Sequence, residues 1–265
     1  MRQGRGPGAG GSALILAYHS ISSGPAPLCI RPELFRRHLD VLVEEGAAAL
    51  SLGDLAAALR RRELPPRAVA ITFDDGYADV VASAAPLLRE RGLRATVFCV
   101  AGHLGTTSDW PTLPARAPRL PLAAAAELAA AATDGTLEVG SHGFDHAPLV
   151  GAGEELLRRE LVDSKRLLER SVGAPVRSFA YPYGLAPPPS AAAVLVAEYE
   201  AVCGGGNRRA GGGADPLALP RVDAHYLRPP ALLRRAVRGG RAYLALRRAG
   251  GRARRLVLSD HRGRP

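Results

Sequence analysis

The 265-residue chain has few cysteines, few aromatic residues and no long apolar run. Its three cysteines, Cys29, Cys99 and Cys203, follow no spacing typical of a zinc or redox motif and cannot all pair, which argues against a disulfide-rich class. The apolar stretch Ala13–Ala17 is too short for a signal-peptide core or a membrane span, and no other run is long enough. We therefore expect a soluble, cytoplasmic protein.

The net charge of +10 is concentrated in one segment. Residues 228–265 carry 12 Arg and one acid, a net +11, and the rest of the chain is close to neutral at −1. A nucleic-acid enzyme is expected to be basic around its active site, so this segregation argues against nucleic acid as a partner. We predict a flexible N-terminus over residues 1–11, one α/β domain over 12–227 and a basic extension over 228–265.

Apolar strand-like runs alternate with helix-like segments. The predicted strands are Ala13–Tyr18, Ala68–Phe73, Ala95–Val100, Leu137–Gly140, Val176–Tyr181 and Ala201–Cys203. The predicted helices are Pro32–Glu45, Asp54–Arg62, Tyr77–Arg91, Pro121–Thr133, Glu154–Ser171, Ser190–Glu200 and Pro230–Arg238. This alternation indicates a parallel sheet, either a barrel or a doubly wound sheet. In both folds, reactive groups gather at the carboxyl ends of the strands.

Two adjacent carboxylates, Asp74 and Asp75, follow the predicted strand that ends at Phe73. Like charges in apolar surroundings repel, and a metal or a shared proton would relieve the cost. Successive side chains at a strand end point in different directions, so one Asp can bind metal while the other reaches a water on it. The alternative is that one of them caps the helix predicted to begin near Tyr77.

Two histidines, His142 and His146, follow the predicted strand Leu137–Gly140. By itself a pair at this spacing is a weak signal. Together with one Asp, it makes a three-ligand site that leaves a position for water, which is the catalytic rather than the structural arrangement. Water bound in such a site is acidified toward a pKa of about 7.

Two further segments follow predicted strands. His19 is a candidate general acid near neutral pH, or else a hydrogen-bonded structural histidine. The turn Tyr181-Pro182-Tyr183-Gly184 gives a rigid wall with backbone N–H groups able to stabilise an oxyanion, or else a buried aromatic turn.

Together these four segments resemble the polysaccharide deacetylase (NodB-like) family, carbohydrate esterase family 4. The resemblance covers roughly residues 12–226 and implies a deformed (β/α)7 barrel, with residues 12–227 as the deacetylase domain. It implies metal-dependent hydrolysis of an N-acetyl group on an amino-sugar polysaccharide or glycoconjugate, with release of acetate. A carbohydrate substrate is therefore the expected partner.

The resemblance also implies roles for individual residues. Asp74 would be the base, while Asp75, His142 and His146 would hold a divalent metal, foremost Zn²⁺, with Co, Ni or Fe as alternatives. The groove would be lined by Tyr181, Pro182 and Tyr183, and the Tyr183 N–H would face the oxyanion.

The sequence departs from the family pattern in three places. Gly143 stands where the family has Ser or Thr, and Ala180 stands near the place of an Arg that normally braces the base. Arg221 is the candidate substitute for that Arg. The late Leu-x-His motif is not evident, and the opening Ala-Tyr-His-Ser-Ile resembles the circularly permuted branch that includes the poly-N-acetylglucosamine deacetylases. The acid is therefore assigned to His19, with His225 as the alternative.

Two other functions stay open at this point. One is deformylation or deacylation of a lipid-linked sugar or small amide, with the segment Arg234–Arg264 held against anionic lipid at a membrane surface. The alternative for this segment is a solvated, disordered extension. The other function is carbohydrate binding without turnover, suggested by the missing Arg.

Overall fold

A computed structural model describes residues 11–113 and 117–247. The strands are β1 (Ser12–Tyr18), β2 (Ala48–Leu50), β3 (Ala68–Phe73), β4 (Ala95–Cys99), β5 (Leu137–Ser141), β6 (Ser178–Ala180), β7 (Ala201–Gly204), β8 (Ala210–Gly211), β9 (Leu219–Pro220) and β10 (Val222–Asp223). The helices are α1 (Pro32–Glu44), α2 (Leu52–Arg61), α3 (Ala85–Arg89), α4 (Ala125–Thr133), α5 (Glu154–Arg158), α6 (Ser164–Val172), α7 (Ala192–Glu198) and α8 (Pro230–Val237). One π-helical turn, Val80–Ala84, precedes α3, and another, Arg159–Asp163, joins α5 to α6.

The strands form one sheet in the order β10-β1-β3-β4-β5-β6-β7-β9, with every neighbouring pair on this path parallel. The edge strands β9 and β10 are separated in sequence by Arg221 alone, so the chain crosses from one edge to the other and nearly closes a barrel. The barrel is deformed because β2 pairs with residues 68–70 of β3, whereas β4 pairs only with Thr72 and Phe73. The predicted deformed barrel is confirmed.

The sheet is buried on both faces, which explains why β1, β3 and β4 are almost continuously apolar. Outward side chains pack under the helices, and inward ones form a second cluster inside the barrel. The apolar side of α2 belongs to this inner cluster, where Leu52 and Leu55 lie with Ile15 and Phe98. Helix α2 therefore fills one end of the barrel and leaves the other for a site.

Several predicted boundaries shift where tertiary contacts intervene. Tyr77 forms an isolated β-bridge with Leu122. The helices predicted to begin at Tyr77 and Pro121 therefore begin later in the chain, at Val80 and Ala125. The short strands β2, β8, β9 and β10 were not predicted from the sequence, because segments of two or three residues have no readable periodicity. The long predicted helix Glu154–Ser171 forms, with a π turn in its middle.

The predicted helix near residues 230–238 is present as α8, which packs against α1. Arg234 and Arg238 pair with Glu45, and Leu244, beyond α8, is buried in the core. The described residues after 227 thus pack onto the barrel, while the domain boundaries themselves stay predictions. Most of the predicted flexible N-terminus and residues 248–265 of the basic extension lie outside the described residues. In the part described, no helix has the length and apolar character needed to span a membrane.

Candidate active site

A cavity of about 610 Å³ lies at the carboxyl ends of the strands. The predicted site residues that line it are His19, Asp74, Asp75, His142, His146, Tyr183 and Arg221. The fold therefore brings together side chains from five separate parts of the chain.

Asp75 lies between the two histidines that follow β5. Its Oδ1 is 3.5 Å from His142 Nε2 and 3.2 Å from His146 Nε2. The three candidate ligand atoms lie within 4.8 Å of one another, and none of the three residues is more than 5% exposed. One carboxylate and two imidazoles form a donor set suited to a divalent metal with an open coordination position.

Each imidazole is oriented through its other nitrogen. His142 Nδ1 donates to the Ala180 carbonyl oxygen at 2.8 Å, which leaves Nε2 free to act as a ligand. His146 Nδ1 lies 3.1 Å from the Tyr183 hydroxyl, which in turn donates to Thr112 Oγ1 at 2.5 Å. The Trp110 ring stacks on His146, with the ring centres 4.4 Å apart.

The protonation states also fit a metal. Burial lowers the pKa of His142 to about 4, so its imidazole is neutral at pH 7. Burial alone would raise the pKa of Asp75, but the hydrogen bond and charge of His146 hold it below its usual range. A neutral imidazole and an ionised carboxylate are the forms that bind zinc. The residues present therefore fit a divalent metal.

Asp74 faces Arg221, which lies where the chain crosses between the two edges of the barrel. Arg221 Nη1 and Nη2 donate to the two Asp74 oxygens at 2.5 and 2.8 Å, and Nη1 also donates to Thr72 Oγ1 at 3.2 Å. Burial would raise the pKa of Asp74, yet the Arg221 charge, followed by His142 and His19, holds it lower than usual. Arg221 therefore braces the Asp74 carboxylate, whereas the methyl side chain of Ala180 has no donor to offer.

His19 borders the cavity on the side of Asp74. Its Nε2 is 3.9 Å from Asp74 Oδ2, and 30% of its side chain is exposed. The loop after β1 is held by Asp79, which accepts from Ser20 Oγ at 2.5 Å and from Ile21 N at 3.0 Å. No sequence pattern points to Asp79, because an acid in the first turn after Asp-Asp-Gly-Tyr-Ala is not distinctive.

Three other predicted residues lie elsewhere. His225 does not border the cavity within the described structure, whereas its neighbour Tyr226 does. Tyr181 packs against Phe179 in the outer core, and neither it nor Pro182 lines the cavity there. Side chains alternate along a strand, so a ring two residues after Phe179 lies on the same, outward face. Of the predicted groove residues, Tyr183 is the one that borders the cavity.

A buried carboxylate that the sequence analysis missed shapes the loop between the two histidines. Glu160 Oε2 accepts from Phe144 N at 2.9 Å and Oε1 accepts from Asp145 N at 3.1 Å. Gly143 has φ +90°, and a Cβ there would lie 2.2 Å from Glu160 Oε2. This explains the glycine in place of Ser or Thr. The available signal was an acid on the apolar side of a predicted helix, beside Leu157 and Leu161.

Comparison with known proteins agrees with this geometry. A family model described as polysaccharide deacetylase matches residues 61–202, more than half of the chain. The chain belongs to the polysaccharide deacetylase family. YxkH of Bacillus subtilis is 29% identical over 171 residues, which cover 64% of this chain and 56% of that protein. The poly-beta-1,6-N-acetyl-D-glucosamine N-deacetylase of Staphylococcus aureus is 25% identical over 159 residues, covering 57% and 52%. The chain thus spans little more than half the length of these relatives.

Two solved structures have the same fold as this chain. IcaB from Ammonifex degensii superposes with a TM-score of 0.70 at 22% identity, covering 84% of this chain and 97% of that one. The Streptococcus pyogenes deacetylase PplD, solved in complex with acetate, gives 0.67 at 24% identity, covering 81% and 92%. The family and the barrel fold predicted from the sequence are confirmed.

Proposed function

We propose that this protein is a metal-dependent deacetylase that hydrolyses the N-acetyl group of an amino sugar in a carbohydrate and releases acetate. One observation carries the proposal. A buried Asp74, held ionised by Arg221, lies beside a second carboxylate and two imidazoles that can hold a divalent metal. A base next to a three-residue ligand set is the arrangement required for amide hydrolysis by an activated water.

The metal would be held by Asp75, His142 and His146, and when bound it supplies Lewis acidity that lowers the pKa of water. Zinc is the metal we propose, because two imidazoles and one carboxylate are a common zinc set. Cobalt, nickel and iron bind similar donors and are the alternatives.

Asp74 accepts a proton from the attacking water in this proposal. Its carboxylate is kept ionised by the two hydrogen bonds from Arg221, which also restrict its rotation. His19, partly exposed at the cavity wall, returns a proton to the leaving amine. The Tyr183 backbone has φ +60° in its turn, where the hydrogen bonds run from Gly184 N to Tyr181 O and from Leu185 N to Pro182 O. We propose that the Tyr183 N–H stabilises the oxyanion.

We propose an N-acetylglucosamine polymer or glycoconjugate as the substrate class. The support is the name of the Staphylococcus aureus relative, which is a poly-beta-1,6-N-acetyl-D-glucosamine N-deacetylase. The cavity is open and combines carboxylates and imidazoles with the Trp110 ring, a combination suited to a sugar with polar edges and an apolar face.

The test is acetate release from a panel of N-acetylated glycans, with formylated and small-amide substrates in parallel. We expect activity that a chelator abolishes and added zinc restores. Asp74→Asn should retain zinc and lose at least about 10²-fold in turnover, because general base catalysis is worth about 10²–10⁴. Asp75→Ala should lose both zinc and activity. Asp54→Asn, an exposed carboxylate on α2, is the matched control and should behave as wild type.

Three results would contradict the proposal. Full activity of Asp74→Asn with zinc bound would remove the base assignment. Release of formate but not acetate would replace deacetylation by deformylation, and turnover of no substrate by zinc-loaded protein would leave carbohydrate binding without catalysis.

A further inference from the structure

A second cavity, of about 400 Å³, lies beside β8 and outside the catalytic cavity. Three arginines line it: Arg208, Arg209 and Arg241. No Asp or Glu of residues 11–113 or 117–247 contributes to its wall. Three positive charges therefore face one space without a negative charge among its lining residues.

Arg209 is a buried charge with neutral partners. It is 9% exposed, and its Nε and Nη2 donate to Ser12 Oγ and Ser12 O at 2.8 and 2.6 Å. Its Nη1 donates to the Ala236 carbonyl oxygen, near the end of α8, at 2.6 Å. Arg221, in contrast, is buried against the carboxylate of Asp74. A buried guanidinium without an anionic partner is costly, because carbonyl dipoles only partly replace its hydration.

The charges are also held close to one another. Burial and the nearby Arg241 charge both lower the pKa of Arg209. Arg208 and Arg241 are exposed, and within the described residues neither forms an ion pair. Outside those residues, Asp260 is the one acidic side chain in the sequence. Like charges gathered in this way are stabilised when an anion is bound between them.

We propose that this arginine cavity binds a phosphate-bearing ligand, with Arg208 and Arg241 contacting the phosphate oxygens and Arg209 supplying fixed positive charge from the wall. Guanidinium groups bind phosphate through paired, charge-assisted hydrogen bonds. Asn207 lines both this cavity and the catalytic one, and its N–H donates to the Arg221 carbonyl oxygen at 2.9 Å. The phosphate would therefore lie next to the catalytic cavity. The proposal does not depend on the deacetylase activity.

Titration calorimetry with inorganic pyrophosphate at low ionic strength tests the site in the zinc-loaded, full-length protein. We expect binding that weakens about tenfold or more in Arg208→Ala/Arg241→Ala, since two charge-assisted hydrogen-bonding groups are lost. Arg36→Ala/Arg37→Ala, two exposed arginines on α1, is the control for net charge and should bind as wild type. The tested pair leaves every proposed metal ligand in place, so phosphate bound at the metal would not be lost.

Vesicles containing phosphatidylglycerol, compared with neutral vesicles, show whether the phosphate is that of a lipid headgroup. Pyrophosphate binding that the Arg208/Arg241 double variant loses, with no binding of wild type to anionic vesicles, supports a free phosphate ligand. Binding of wild type to anionic vesicles that the double variant loses supports a lipid headgroup. The proposal is overturned if wild type binds neither probe at millimolar concentration, or if the double variant binds both probes as well as wild type. Because the double variant alters exposed residues, an unchanged Tm should accompany the expected result.

Discussion

Replacing Arg221 by Ala tests the buried ion pair between Arg221 and Asp74. Asp74 is 5% exposed, and Arg221 donates two hydrogen bonds to its carboxylate. Removal of one partner from a buried pair leaves an uncompensated charge, which costs about 3–5 kcal/mol. The protein avoids part of this cost by protonating Asp74. Each unit of pKa corresponds to about 1.4 kcal/mol, so a rise in the Asp74 pKa of at least about one unit is expected.

The direction of the pH effect follows from the sign of the shift. In wild type the Asp74 pKa is below its unfolded value, so the pair stabilises the fold above that value and the stabilisation is lost as the pH falls. In Arg221→Ala the carboxylate stays protonated to a higher pH. The acid limb of the pH profile of kcat/KM for acetate release should therefore move to higher pH by at least about one unit. The variant should also unfold at a lower urea concentration than wild type.

Two variants distinguish the effect of losing the Arg221–Asp74 ion pair from the effect of losing any buried arginine side chain. Arg221→Lys keeps the charge but not the paired hydrogen bonds, so we expect an intermediate shift of the acid limb. Arg209→Ala removes a buried Arg whose hydrogen-bond partners among the described residues are all neutral, and should destabilise the protein without moving the acid limb. An Arg221→Ala enzyme with wild-type stability and an unmoved acid limb would refute the reasoning.

Three further predictions follow from single contacts. Tyr183→Phe removes the hydroxyl that orients His146, so zinc affinity, measured by competition with a chromophoric chelator, should fall about tenfold or more. Asp79→Ala frees the loop that carries His19, so kcat for acetate release should fall while zinc content stays constant. The hydrogen bond from Arg238, with help from Arg234, lowers the pKa of Glu45 to about 2 from 4.5. The Tm advantage of wild type over Glu45→Gln should therefore be present at pH 6 and disappear as the pH falls from about 4.5 to about 2.

Each of these has a control. Tyr243→Phe alters a tyrosine outside the cavity lining and should leave zinc affinity unchanged. An unchanged zinc affinity in Tyr183→Phe would show that the Tyr183 hydroxyl is not needed to orient His146. Asp79→Asn can still accept from the Ile21 N–H and should recover part of the lost turnover. Full turnover by Asp79→Ala would show that the loop needs no such support. A pH-independent Tm difference would show that Glu45 acts through packing.

The sequence determined the family, the barrel and the chemical core of the site. Local patterns directly after apolar strands contain Asp74, Asp75, His142 and His146. The carboxyl ends of parallel strands lie at the same end of a barrel, however its helices pack. The candidate ligands His142 and His146 could be paired without long-range information, because both lie in one short loop. Helix α8 could also be predicted from the sequence, because its apolar residues have helical spacing.

Tertiary structure alone decided how these residues are supported. Arg221 lies 147 positions from Asp74 and reaches it because the chain crosses between the two edges of the barrel there. The partners of Tyr183, Glu160 and Asp79 are likewise set by loops that meet only in the folded chain. Periodicity reports which face of an element is buried, whereas it carries no information on which distant side chain that face meets.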